Sequence, residues 1–105
     1  MSFSSIQIEQ ARAQKVTVTH ESLVVELTDG RTIAVPLAWY PRLLHANEAE
    51  RGNWRLIGSG EGIHWPDLDE DISVEGIVAG RPSGESGESF SRWLEGRKPA
   101  RKTKK

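Results

Sequence analysis

The chain contains no cysteine in its 105 residues. Disulfides, thiol catalysis and thiolate metal sites are therefore excluded, and the absence suits a reducing compartment. No stretch approaches the roughly 20 consecutive apolar residues of a membrane helix. The opening Met-Ser-Phe-Ser-Ser-Ile-Gln-Ile-Glu-Gln has no basic segment followed by an apolar run, as a secretory leader would. A soluble, cytoplasmic protein without membrane attachment is expected. No glycine-rich phosphate cradle with its lysine is present either, which removes a common nucleotide site. This length accommodates one domain with a modest core.

What the chain does have is a lopsided charge. The formal net charge is only -1, yet residues 1–80 carry six Lys/Arg against twelve Asp/Glu, and residues 81–105 carry eight against three. An acidic body is thus joined to a basic tail, and the tail is the element that could meet an anionic partner.

Hydrophobic alternation marks the body as largely β. Residues 1–14 are weakly patterned and read as an edge strand or lead-in. From there Val16 and Val18, then Leu23, Val25 and Leu27, then Ile33 and Val35 alternate with mostly polar neighbours, the period of half-buried strands in an antiparallel meander. The turns set the register. A two-residue loop at Asp29-Gly30 would place Leu27 opposite Thr32 and mix the faces, whereas a three-residue loop, Thr28-Asp29-Gly30, pairs Val25 with Ile33 and Leu23 with Val35. One residue of slip inverts a strand, so the longer loop with a left-handed Gly30 is predicted. The turn at His20-Glu21 pairs Val18 with Leu23 and Val16 with Val25.

Pro41 opens a helix that is expected to run until Gly52. Asn53-Trp-Arg-Leu-Ile57 and Gly62-Ile-His-Trp65 read as a second hairpin. Pro66 ends the pairing, residues 67–71 form an acidic loop, and Ser73 caps a short helix that stops at Gly80, with Ile72 and Ile77 at the staple positions. The predicted fold class is α+β: an antiparallel three-stranded meander, helix, second β-hairpin, short helix, then a tethered C-terminal helix and basic tail. The predicted organisation is a compact domain over 1–80 and a flexible linker over 81–88. A short amphipathic helix capped by Ser89 follows over 89–96, then a disordered tail over 97–105.

His64, Asp67, Asp69, Glu70 and Asp71 crowd together, but their spacing fits neither zinc nor the calcium loop, whose sixth and twelfth positions would fall on Ile72 and Val78. The acids are read as hydrogen-bond acceptors for loop amides, with Asp69 and Asp71 near the helix start. Gly58-Ser59-Gly60 lacks the longer nucleophile-elbow pattern and reads as a turn. No catalysis, metal or cofactor is expected. Trp39, Tyr40, Trp54 and Trp65 are core candidates. Trp39 and Tyr40 are adjacent, however, and point apart, which leaves one of them partly exposed beside Arg42, among residue types favoured at interfaces.

Together the motifs Asp29-Gly-Arg, Val35-Pro-Leu-Ala-Trp-Tyr-Pro-Arg-Leu43, Asn53-Trp and Ile63-His-Trp-Pro-Asp-Leu-Asp-Glu-Asp-Ile-Ser73 resemble the small bacterial family named domain of unknown function 2442, over about residues 11–96. The resemblance implies a compact α+β fold without an assigned activity. Some relatives are similar to the partner half of two-gene toxin and antitoxin modules, and others carry the domain ahead of a helix-turn-helix segment. Residues 81–105 are too few and too polar for that DNA-binding unit, and Val74 stands where many relatives carry Pro. A non-enzymatic, antitoxin-like protein-binding module is therefore expected, contacting a toxin-like protein. Its contact candidates are Trp39, Tyr40, Arg42, His64, Trp65, Asp67, Asp69, Glu70 and Asp71, with Phe90, Trp93 and Leu94 as a second surface. The alternative is a nucleic-acid-associated regulator making weak contact through Arg97, Lys98, Arg101, Lys102, Lys104 and Lys105.

Overall fold

The computed structural model describes residues 11–102, with side chains through Arg97. Most of the lead-in read over 1–14, together with Lys104 and Lys105, lies outside the described residues. Strands β1 (Ala13–Val18), β2 (Ser22–Leu27) and β3 (Thr32–Pro36) form the expected antiparallel meander. Its register is the one the apolar period requires: Val16 faces Val25, Val18 faces Leu23, Val25 faces Ile33 and Leu23 faces Val35. The three-residue loop closes through a 3.1 Å bond from the Gly30 amide to the Leu27 carbonyl. Gly30 has φ +98, a conformation that a Cβ would strain.

A 3-10 turn over Leu37–Trp39 leads into α1 (Pro41–Leu44) and α2 (Glu48–Gly52). Where one helix was expected, there are two. Asn47 interrupts them by accepting a 2.8 Å bond from the Glu50 amide, while the Glu50 carboxylate accepts one from the Asn47 amide at 3.0 Å. This reciprocal pair starts a new helix, and it outcompetes continuation of the first. The apolar face falls on Leu43 and Ala46, and Leu44 is left 44 % exposed.

The second sheet holds β4 (Arg55–Ile57), β5 (Gly62–Trp65) and β6 (Glu70–Ser73), all antiparallel. The acidic stretch is thus not wholly a loop. Its second half is a strand, with Ile72 paired to Ile63 and Glu70 paired to Trp65. Pro66 starts a tight turn, closed by a 3.2 Å bond from the Leu68 amide to the Trp65 carbonyl, and Asp69 completes the reversal at φ +53. A short polar side chain tolerates that left-handed conformation, so the chain doubles back instead of looping.

The two sheets are stitched where Gly60, at φ +97, accepts a 2.8 Å bond from the Ala13 amide. A Cβ on Gly60 would stand 2.4 Å from the Ala13 carbonyl oxygen, so only glycine permits this approach. Both sheets contribute to one core. Leu23, Val25 and Leu27 meet Ile63, Trp65 and Ile72, and Leu37, Leu43, Leu68, Val74 and Ile77 close over them. Ser73 caps α3 (Val74–Val78) by accepting from the Gly76 amide at 3.1 Å, and the staple residues Ile72 and Ile77 are both buried.

The C-terminal helix α4 spans Gly87–Lys102, longer than the 89–96 segment expected, and it overlaps the stretch read as a disordered tail. Its cap is Ser86, whose hydroxyl accepts the Ser89 amide at 3.0 Å, so Ser89 sits one turn inside the helix.

Candidate functional site

The site is built around Arg42, one residue into α1. Its Nε and Nη2 donate to the Glu85 carboxylate at 3.0 and 2.6 Å, a forked pair. Its Nη1 donates to the carbonyl oxygens of Leu68 and Asp69 at 3.1 and 2.9 Å. One guanidinium thereby joins α1, the β5–β6 turn and the segment at residues 81–86. Glu85 also accepts the Ser89 hydroxyl at 2.8 Å, and the Ser83 amide donates to the Trp39 carbonyl at 3.1 Å. The stretch read as a flexible linker is therefore a strap with both ends tied. Hydrogen bonding to Arg42 holds the Glu85 carboxyl below its ordinary value, and Glu85 raises Arg42 in return.

Trp93 of α4 meets two cations, with the Arg42 guanidinium 5.2 Å and the Arg97 guanidinium 4.7 Å from its ring centre. Its indole N-H donates to the Leu68 carbonyl at 3.0 Å. Phe90 stacks on Trp93 at 5.7 Å and tilts against His45 at 5.1 Å, and Arg97 reaches Glu50 at 3.1 Å. Phe90 and Trp93 are therefore engaged within the chain, with Leu94 half-buried beside them. Arg97, offered for nucleic acid, is engaged likewise. Lys98, Arg101 and Lys102 follow on the last turns of α4.

Glu70 has the least expected environment. Because β6 alternates, Glu70 shares the inward face with Ile72 and stands opposite the fully buried Trp65, while Asp71 and Ser73 face out. Its side chain is 13 % exposed and lies 3.9 Å from Arg42, beyond a direct hydrogen bond. Burial pushes its carboxyl up to about 7; Arg42 opposes the rise, while Glu85, Asp71 and Asp69 add to it. Tyr40 is beside it, 2 % exposed, and its hydroxyl has no hydrogen-bond partner among the described residues. Burial, and then the Glu70 charge, raise that phenol above its usual range.

These two groups line a cleft of about 310 Å³. One side is β6, another is α3 at Gly76 and Ile77, and the third is the strap at residues 81–84. Outside the cleft the acidic stretch forms a ridge of exposed carboxylates. Asp67 accepts the Asn53 side-chain amide at 3.0 Å, Asp71 is bonded to the half-buried His64, and Asp69 is exposed at the turn. The carboxylates thus engage side chains or solvent, not the loop amides expected for them. Among the described residues no three His, Asp or Glu side chains converge into a metal-binding group.

Of the contact candidates, Tyr40 and Trp65 lie in the core, at 2 and 0 % exposure, and present no surface to a partner. Arg42 is consumed by internal bonds. The ridge of Asp67, Asp69 and Asp71, with His64 and the half-buried Trp39, remains at or near the surface. Sequence reasoning missed Glu85, Ser83 and Arg81. Arg42 and Glu85 are 43 positions apart, and no local pattern marks such a pair.

This arrangement defines a small α+β domain of two three-stranded antiparallel sheets, strapped by its own C-terminal helix. The chain belongs to the family described as protein of unknown function (DUF2442), whose model matches residues 13–83. It is similar to the crystal structure of a protein of unknown function from Rhodospirillum rubrum ATCC 11170. The two share 29 % identity and superpose with a TM-score of 0.63 over 72 % of this chain and 94 % of that one. It also shares its fold with an uncharacterized protein from Chromobacterium violaceum solved by NMR, at 19 % identity and a TM-score of 0.62 over 87 % of this chain and 84 % of that one. No curated protein matches. No helix among the described residues is long and apolar enough to cross a membrane.

Proposed function

We propose that the domain is a non-catalytic protein-binding module that docks a basic partner on the ridge formed by Asp67, Asp69 and Asp71. One observation carries this reading: none of these three exposed carboxylates is bridged by a Lys or Arg side chain among the described residues, whereas the deeper Glu85 and Glu50 are. Surface acids that no Lys or Arg bridges, gathered on one tight turn, are suited to steering and orienting a cationic surface. The resemblance to partner halves of two-gene toxin and antitoxin modules supports an antitoxin-like role, with a small toxin-like protein as the partner.

The test is the double substitution Asp69→Asn with Asp71→Asn, assayed against the co-purified product of the neighbouring gene. Rim charges act through association, so affinity should fall by about tenfold at low salt, and the loss should shrink as salt is added. The melting temperature of the free protein should change little. An unchanged complex refutes the docking role, and a large fall in melting temperature assigns the carboxylates to the fold instead.

A further inference from the structure

We infer that the cleft between β6, α3 and the strap is an anchor pocket for a primary ammonium, the side chain of a lysine presented by the docked partner. This rests on the docking reading and deepens it. Tyr40 lines the cleft, and its buried hydroxyl lacks a partner among the described residues, a deficit that a ligand donor pressed in from the cleft would relieve. Glu70 lines it too, and its carboxylate makes no side-chain hydrogen bond among the described residues, since Arg42 is turned to Glu85 and two backbone carbonyls and stands 3.9 Å away.

The phenol has oxygen lone pairs to offer beside its own O–H and the Glu70 carboxylate only accepts, so the pair has room for a further donor. The charges agree. Glu70 and Asp71 line the cleft, and the cation among the lining residues, Arg81, is exposed. Ile72 and Ile77 flank the same space and suit the aliphatic stem of a lysine, whose compact ammonium carries three donors and no acceptor. A carboxylate or phosphate ligand would instead face Glu70 with like charge. The volume of about 310 Å³ holds one such side chain with its adjoining backbone.

The experiment titrates the full chain with Nα-acetyl-lysine N-methylamide, using its norleucine counterpart as the uncharged control, and follows backbone amide shifts by NMR. Saturable shifts are expected at Ser73, Gly76, Ser83 and Gly84 with the lysine probe and not with norleucine. Glu70→Gln should weaken binding by about tenfold or more, the usual loss for a hydrogen bond to a charged group. Tyr40→Phe should weaken it by a smaller factor; should that variant fail to fold, Glu70→Gln decides alone. Affinity should rise from pH 6 to pH 8 with release of a proton. The group responsible is Glu70, which faces Arg42 from α1, Glu85 from the strap, Asp69 and Asp71 from its own hairpin, and Tyr40. Equal binding of the norleucine probe, an unchanged Kd for Glu70→Gln, or shifts confined to residues 67–69 would overturn the inference. Loss of the partner complex in the Asp69→Asn, Asp71→Asn variant, with no lysine-probe binding in the cleft, would overturn the pocket while leaving the docking ridge in place.

Discussion

Replacing Glu70 by Gln should abolish a specific loss of stability with rising pH. In the folded protein the Glu70 carboxyl titrates at about 7, against an ordinary 4.5, first because it is buried opposite Trp65 and then because Glu85, Asp71 and Asp69 surround it. Between those two values the folded state keeps a proton that the unfolded chain has lost. Stability is therefore fully present below about pH 4.5 and declines as pH rises toward and through 7. At about 1.4 kcal/mol per pH unit the gap corresponds to about 3.4 kcal/mol. Residual solvent contact and the nearby Arg42 screen part of this, leaving about 2 kcal/mol. For a domain of this size that amounts to about 10 °C in melting temperature.

The assay is urea unfolding of wild type and Glu70→Gln between pH 4 and pH 8. Glutamine mimics the protonated acid, so the variants should match at pH 4, and the glutamine form should be the more stable at pH 8 by about 2 kcal/mol. Histidines and the remaining acids are common to both chains and cancel in the difference. Parallel pH profiles for the two proteins would refute the buried, proton-holding Glu70.

Gly60→Ala should destabilise the protein by about 3 kcal/mol, measurable by the same unfolding experiment. The alanine Cβ would meet the Ala13 backbone and force apart the contact that joins the two sheets. Arg42→Met should cost about 3 kcal/mol by stranding Glu85, with Trp93 emission shifting to the red as α4 loosens; an unshifted spectrum would show that α4 docks without the guanidinium.

Much of the fold was legible in local pattern, because neighbouring residues decide it. The meander register follows from a period of two combined with a glycine turn, and α3 follows from Ser73 and its staple. The second sheet was read one strand short. Pro66 and four acids look like a loop, and only the pairing of Ile72 with Ile63 makes β6 a strand. Asn47 hides its cap for a related reason: its partner Glu50 belongs equally well to the helix it interrupts.

The sequence by itself determined the apolar alternation, the turns, the acidic body and the family motifs, all of which act over a few residues. Tertiary structure decided the fate of the charges. Arg42 meets Glu85 and Trp93, and Arg97 meets Glu50, across separations that no sequence period encodes. Whether a carboxylate becomes a surface handle, like Asp69, or a buried proton holder, like Glu70, depends on which face of β6 it occupies and on what packs there. Burial and long-range pairing set its free energy, and both exist only once the chain has closed on itself.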